Sequence, residues 1–231
     1  MPANELVDAL ANGEMSIVGR MPRSSNATFL VEFTDSEVRG IYKPLRGERP
    51  LWDFEPGLHR REVAAYRLSE ALGFGVVPYT VLRDGPYGEG SVQLFVTCDP
   101  AEHYFTIVES HPECHERLRR ICAFDIIANN TDRKSGHCIL DTDGVVWAID
   151  HGVSFSAEFK LRTVMWDFGG DELDADIAAA IAPLTHTVPL EVAALLSDDE
   201  VEALRERAQW LVDGGQFPID PTGSRYPWPL V

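Results

Sequence analysis

An apolar helix pattern that runs into Asn129-Asn130-Thr131-Asp132, and a hairpin pattern that stops at Ile149-Asp150-His151-Gly152, constrain this chain more than any other feature. Leu118, Ile121, Cys122, Phe124 or Asp125, and Ile126 recur at the helical period over 113–129. The residues that follow, through His137, are polar. Two short apolar runs, 138–140 and 145–149, then flank the turn signal Asp141-Thr142-Asp143-Gly144. A fold compatible with this order sets one acid in a loop behind a buried helix and a second acid at the end of a strand.

The first 97 residues read mostly as strands. Runs at 15–19, 28–33 and 38–43 are rich in Val, Ile, Phe and Tyr, with Asp35-Ser36 between the last two, and predict three antiparallel strands. A Gly- and Pro-bearing loop over 44–56 leads to helical spacing over 60–72, closed by Gly73. Runs at 76–82 and 91–96 predict two more strands around a turn at 84–88. Asn4 is placed to cap a short helix through Leu10. The polar stretch 97–112 reads as irregular and marks the boundary between a β-rich lobe, 1–97, and an α-rich lobe, 98–231. In the second lobe helices are expected over 173–181, 190–196 and 198–212, the last capped by Ser197 ahead of three acids. The tail from Phe217 reads as packed coil, with Tyr226 and Trp228 as burial candidates. The fold class is α+β and bilobal, and the cleft between the lobes is the natural ligand site.

With 20 Lys and Arg against 37 Asp and Glu, the formal charge of -17 opposes nucleic acid and anionic membrane surfaces as partners. The four cysteines form no CxxC pair, and the N-terminus lacks a secretory pattern, so reduced thiols in a cytoplasmic protein are expected. No apolar run approaches the ~20 residues of a membrane span.

Two acids disposed in this way suit phosphoryl transfer. Asp132 would orient a hydroxyl and accept its proton, and Asp150 would hold a metal bridging nucleotide phosphates. His137, five residues past Asp132, is a second metal-ligand candidate and would shift preference from magnesium toward manganese. Lys43, ending the run Ile41-Tyr42-Lys43-Pro44, can meet phosphate as a point charge, and Glu62 on the next helix can hold it. The small residues Ser24, Ser25 and Asn26, after Arg23, allow backbone N–H groups to approach phosphates. Taken singly, each position has an ordinary alternative: a surface lysine, an exposed helical glutamate, a plain hairpin turn, a turn aspartate.

Together, the series Lys43, Glu62, Asp132, residue 137 and Asp150 resembles that of the atypical kinases related to phosphatidylinositol 3- and 4-kinases. Phe124–Asp132 also resembles the catalytic segment of HipA-type kinases. The whole chain is similar to a compact actinobacterial phosphatidylinositol-kinase-like family. The motifs are Gly19–Asn26, Tyr42–Leu45, Arg61–Tyr66, Asp132–His137 and Ile149–Gly152, spanning roughly 14–168. The resemblance implies a protein-kinase-like fold, ATP with Mg2+ or Mn2+, and phosphate transfer to a hydroxyl. It implies Lys43 on the phosphates, Glu62 as its anchor, Asp132 as catalytic acid–base, Asp150 on the metal, and Gln93, Leu94, Phe95 and Val96 at the adenine-binding hinge. Two departures fall in the catalytic loop. His137 stands where the superfamily has an asparagine, and Lys134 where the lipid kinases have the histidine of Asp-Arg-His; glycine-rich phosphate coverage is missing. Lys160 and Arg162 occupy the place of a substrate-reading loop, yet the overall charge favours a soluble protein or polyol acceptor over a membrane lipid. The competing expectations are a pseudokinase using the cleft for binding alone, and adenylate transfer with the nucleotide reversed.

Overall fold

Five strands form one antiparallel sheet in the order β1-β2-β3-β5-β4. They are β1 (Met15–Arg20), β2 (Phe29–Phe33), β3 (Arg39–Pro44), β4 (Thr80–Gly85) and β5 (Gly88–Leu94). The computed structural model describes residues 3–22 and 24–230, so Arg23, which falls between β1 and β2 in sequence, lies outside the described residues. Helix α1 (Ala3–Asn12) contributes Leu10 to a small core with Val31, Phe33, Val38, Tyr42 and Val92 from the sheet region. Asn4 lies inside α1 rather than ahead of it.

Helix α2 (Leu58–Ala71) packs on β4 and β5 and on the later helix α6. Its Ala64, Ala65 and Leu68 belong to the second, larger core. That core is built from α3 (Tyr104–Ser110), α4 (His115–Ala128), the hairpin β6 (Cys138–Leu140) and β7 (Val146–Ala148), α5 (Ala175–Ile181), α6 (Leu190–Ala193) and α7 (Asp198–Gly214). Ser197 caps α7 reciprocally with Glu200. Glu200 also pairs with Arg61 and so links α7 to α2. The fold is a β-rich part followed by an α-rich part, as expected.

Three local expectations differ from the structure. The strand expected at 76–82 starts only at Thr80. Val76 and Val77 are drawn instead into the larger core: Ser69 Oγ accepts from both their amides, at 2.9 and 3.3 Å, and the Val76 carbonyl accepts from Ala148 N at 2.8 Å. The irregular stretch 97–112 contains α3, nucleated by the box in which Thr106 Oγ1 accepts from His103 N at 2.9 Å. Tyr226 and Trp228 are exposed, 42% and 86%, not buried. The tail is held by its backbone, with Arg225 O accepting from Thr163 N at 3.1 Å and Leu230 O from Ser135 N at 2.8 Å. Among the described residues no helix is long and apolar enough to cross a membrane.

Gly90 of β5 faces Pro44, where a Cβ would come within 2.5 Å of the Lys43 carbonyl. Only glycine allows the two strands to close at the level of Lys43. Gly90→Ala should therefore cost about 1–3 kcal/mol through overpacking, measured by urea denaturation.

Candidate active site

The polar loop behind α4 is built by its own sequence. Asn129 ends the helix in the left-handed region, at φ 53°, a conformation asparagine tolerates. Its amide donates to the Ser156 and Glu158 carbonyls at 2.9 and 2.7 Å, and its Oδ1 accepts from Lys160 N at 2.8 Å. Asn130 donates to Asp125 Oδ1 at 3.0 Å and accepts from Asp132 N at 3.0 Å. Thr131 donates its hydroxyl to Val153 O at 2.8 Å. The Asn-Asn-Thr run thus staples the loop to the segment after Asp150 and presents Asp132, one-third exposed, at the surface of the cleft.

Arg133 points the other way and is fully buried. Its Nε and Nη2 donate to the two oxygens of Asp125 on α4, at 2.7 and 2.9 Å. Nη1 donates to the carbonyls of His137 and Ile149, at 3.0 and 2.7 Å. Nη2 also donates to His151 Nε2 at 2.8 Å. All five N–H donors of the guanidinium are therefore used. Because His151 Nε2 accepts, its ring is neutral, and burial holds its pKa well below the ordinary value. Burial opposes the charge on Arg133, but Asp125 outweighs it and raises the pKa.

Lys43 at the end of β3 joins Glu62 of α2 to Asp150. Its Nζ donates to Glu62 Oε1 and, over 2.8 Å, to Asp150 Oδ1. Glu62 Oε2 accepts from His151 N at 3.0 Å, so one carboxylate fixes both the lysine and the Asp150 turn. Burial works against the ammonium, yet Asp150 and Glu62 together raise its pKa. The positive charge of Lys43 holds the Asp150 carboxyl well below its usual range against the opposing effect of burial. With the Asp150 side chain 49% exposed, water screens part of this. Asp150 sits in the left-handed region at φ 62°, directing its second oxygen to His137 Nε2, 3.4 Å away. His137 Nδ1 lies 2.9 Å from the Asp132 carbonyl, which can only accept, so the proton is on Nδ1. Burial lowers the His137 pKa, leaving a lone pair on Nε2. Two acceptors that face each other without a proton suit a shared cation. Among the described residues no cluster of three or more His, Cys, Asp or Glu offers a complete metal cage. One carboxylate oxygen and one imidazole nitrogen, completed by phosphate and water, would suit a manganese-type ion better than magnesium, which prefers oxygen alone.

Ser24, Ser25, Asn26, Lys43, Glu62, Asp132, His137 and Asp150 line one hollow of about 750 Å³. Gln93, Leu94, Phe95 and Val96 do not line it. Gln93 is buried with its amide on Thr80 Oγ1 at 2.9 Å, and the Leu94 and Phe95 amides are donated to Tyr79 O and Arg39 O at 2.8 and 3.0 Å. Those two amides are committed to the sheet. In the loop from 24, Ser24 and Thr28 hydroxyls meet at 2.8 Å and Asn26 Oδ1 accepts from Arg49 N at 2.9 Å.

Among the lining residues that sequence reasoning missed are the titratable pair Glu48 and His59. The Glu48 carboxylate caps α2 from outside, accepting from Gly57 N, His59 N and His59 Nδ1, each at 2.8 Å. His59 Nε2 lies 3.1 Å from Glu89. No periodicity or motif flags this cluster. Lys134 pairs with Asp132 at 3.0 Å, a contact implicit in their spacing alone.

Removing Asp125 would leave Arg133 buried and uncompensated. Asp125→Ala should lower stability by about 3–5 kcal/mol, read from urea denaturation midpoints. Burial disfavours the charged His59, but hydrogen bonds to Glu48 and Glu89 outweigh it and raise its pKa. Its contribution to stability is then full below the unfolded value of 6.5 and lost as pH rises through the higher folded value. As pH rises from about 6.5, wild-type stability should fall more steeply than that of His59→Gln, in parallel denaturant titrations.

No family model matches the chain. Protein Rv2133c of Mycobacterium tuberculosis (strain ATCC 25618 / H37Rv) is 38% identical over 260 aligned positions, which cover 95% of this chain and 93% of that protein. Among solved structures, hydra Fam20 with sugar superposes with a TM-score of 0.64 at 15% identity, over 92% of this chain and 88% of that one. The Helicobacter pylori proinflammatory kinase CtkA gives 0.52 at 10% identity, over 90% and 94%. These likenesses establish a kinase-like fold. The sequence relationship sets the lineage: this chain belongs to the family of Protein Rv2133c.

Proposed function

We propose that the chain is an ATP- and divalent-metal-dependent phosphotransferase of the phosphatidylinositol-kinase-like type, acting on a hydroxyl acceptor. The observation that carries this is the convergence of Lys43, Asp132 and Asp150 on a single hollow. Asp150 and His137 would hold the metal, which, when bound, supplies positive charge between the terminal phosphates. Lys43 adds a second positive charge from the β-rich side, kept in place by Glu62. Asp132, solvent-accessible at the loop tip, accepts the proton of the acceptor hydroxyl as that oxygen attacks the γ-phosphorus. The bond from the γ-phosphorus to the bridging oxygen breaks and ADP leaves.

Lys43 is paired directly with Asp150 in the structure, and Lys134 with Asp132. Nucleotide and metal binding would exchange the first pair for contacts with phosphate. An acceptor hydroxyl would compete with Lys134 for the second. The net charge of -17 favours a soluble protein or polyol acceptor over a membrane lipid.

Asp132→Asn should reduce ATP turnover by about 10²–10⁴-fold, the usual worth of a general base, with nucleotide affinity near wild type by calorimetry. Full turnover in that variant would overturn the assignment. Intact-mass analysis after incubation with ATP and Mg2+ or Mn2+ separates the competing chemistries. A phosphate adduct on protein or acceptor fits the proposal, and an adenylate adduct points to a reversed nucleotide. Binding with no transfer at all marks a pseudokinase.

A further inference from the structure

The tail from Phe217 returns to the candidate active site along its backbone. Asp220 shapes its turn, one carboxylate oxygen accepting from Thr222 N at 3.0 Å and the other from Arg225 N at 2.8 Å. Arg225 O then accepts from Thr163 N at 3.1 Å and from Trp166 Nε1 at 3.2 Å. Thr163 is itself paired, in parallel, with Arg133. Arg133 N donates to Arg162 O, and Val164 N to Arg133 O, both at 3.1 Å. The segment 162–164 therefore bonds the active-site loop on one side and the tail on the other. Further along the tail, Pro227 is buried and Leu230 packs against the larger core. Leu230 O accepts from Ser135 N at 2.8 Å, so the tail also meets the active-site loop directly.

This last bond has no substitute. Lys134 N donates to Asp132 O at 2.9 Å and His137 N to Lys134 O at 3.1 Å, while the Lys134 ammonium meets Asp132 at 3.0 Å. All three contacts stay within the loop. The Ser135 hydroxyl is buried and has no partner among the described residues. Among those residues, the bond from Ser135 N to Leu230 O is the one hydrogen bond that ties 134–136 to anything outside 132–138. Yet this turn carries Lys134, which pairs with Asp132, and leads straight into His137, which faces Asp150. A buried amide must keep its acceptor or open to water. Losing the Leu230 carbonyl would therefore release the turn that sets both side chains.

We infer that Leu230 is a positioning residue of the candidate active site. Its side chain docks on the larger core, and its carbonyl thereby holds the Lys134–His137 turn at Ser135. The consequence for phosphate transfer rests on the phosphotransferase function above; the docking does not.

The test compares the full wild-type chain with Leu230→Asp, whose charge is excluded from an apolar core, and with Leu230→Met, which keeps the dock apolar. Hydrogen exchange of the Ser135 amide, followed by NMR, reads the dock, with the Val92 and Ile121 amides of the two cores as references. In Leu230→Asp the Ser135 amide should exchange about tenfold faster or more relative to both references, and in Leu230→Met at the wild-type rate. The site is read by Mn2+ with ADP, through enhancement of water-proton relaxation. Loss of a supporting contact behind a ligand should weaken Mn2+–ADP binding about tenfold in Leu230→Asp, with Leu230→Met like wild type. Ser135 exchange that is unchanged in Leu230→Asp, or that quickens only in step with Val92 and Ile121, overturns the assignment. So does quickened Ser135 exchange with undiminished Mn2+–ADP binding. If Leu230→Asp does not fold, Leu230→Ala is read by the same criteria. Local release of Ser135 with weakened Mn2+–ADP binding, in a chain whose wild type transfers phosphate to no acceptor, supports Leu230 as a positioning residue and defeats the phosphotransferase function. A wild type that takes up no Mn2+–ADP defeats that function too, and Ser135 exchange alone then decides the docking.

Discussion

A guanidinium sealed from water must find an acceptor for every N–H it carries, and the architecture around Arg133 follows from that requirement. Asp125 on α4 takes two donors, the carbonyls of His137 and Ile149 take one each, and His151 takes the fifth. One side chain thereby binds the end of a helix, a loop and the end of a strand into one object. Asp132 precedes it in the chain, His137 is held through its carbonyl, and Asp150 lies between two of its partners. The positions of three chemical groups are set by a residue that touches none of the cleft. Burying such a charge is costly unless every bond is made, which is why the surrounding Asn-Asn-Thr segment is itself fully committed.

The two parts of the molecule meet through a second charged assembly of different character. Lys43 from the sheet reaches Glu62 and Asp150, and Glu62 reaches the His151 amide. Here the lysine is partly exposed and Asp150 half exposed. The assembly faces a hollow where an anion can exchange with a carboxylate at little desolvation cost. A buried hub that cannot move therefore supports an open cluster that can rearrange when phosphate arrives. The loop at 45–57 lines a second, more apolar hollow that shares the walls Glu48 and Leu58 with the first.

Much of the fold is legible in the sequence because the signals are local. Strands β1 to β3 follow from runs of β-branched and aromatic residues, α4 from its apolar spacing, and α7 from Ser197 and the acids behind it. The sites of difference have a shared cause. Val76 and Val77 look like strand residues but serve the larger core through Ser69, and Trp228 looks like a core residue but lies on the surface. Each was decided by what distant packing left available. The same contrast runs through the site. Lys43, Glu62, Asp132, His137 and Asp150 are recognisable as residue types at suggestive places, and all line one hollow. Glu48, His59 and Asp125 gave no such signal, and Arg133, though inside the Asp132–His137 motif, gave none of its buried role, since a carboxylate on an apolar helix reads as an interruption until its arginine is known. Gln93–Val96, singled out by resemblance, lies away from the hollow lining with two of its amides donated within the sheet.

By itself, the sequence determined the order of elements, the polar turn that ends α4, and the presence of two acids behind apolar segments. These depend on periods, caps and turns that act over a few residues. Tertiary structure alone decided that Lys43 would meet Asp150 across 107 positions, that His137 would face Asp150 with a lone pair, and that Arg133 would turn inward rather than toward the cleft. Those outcomes depend on how α2, a member of the larger core, packs against the sheet that carries Lys43. Burial then chooses, among many chemically possible pairs, the few whose charges and hydrogen bonds can all be satisfied at once.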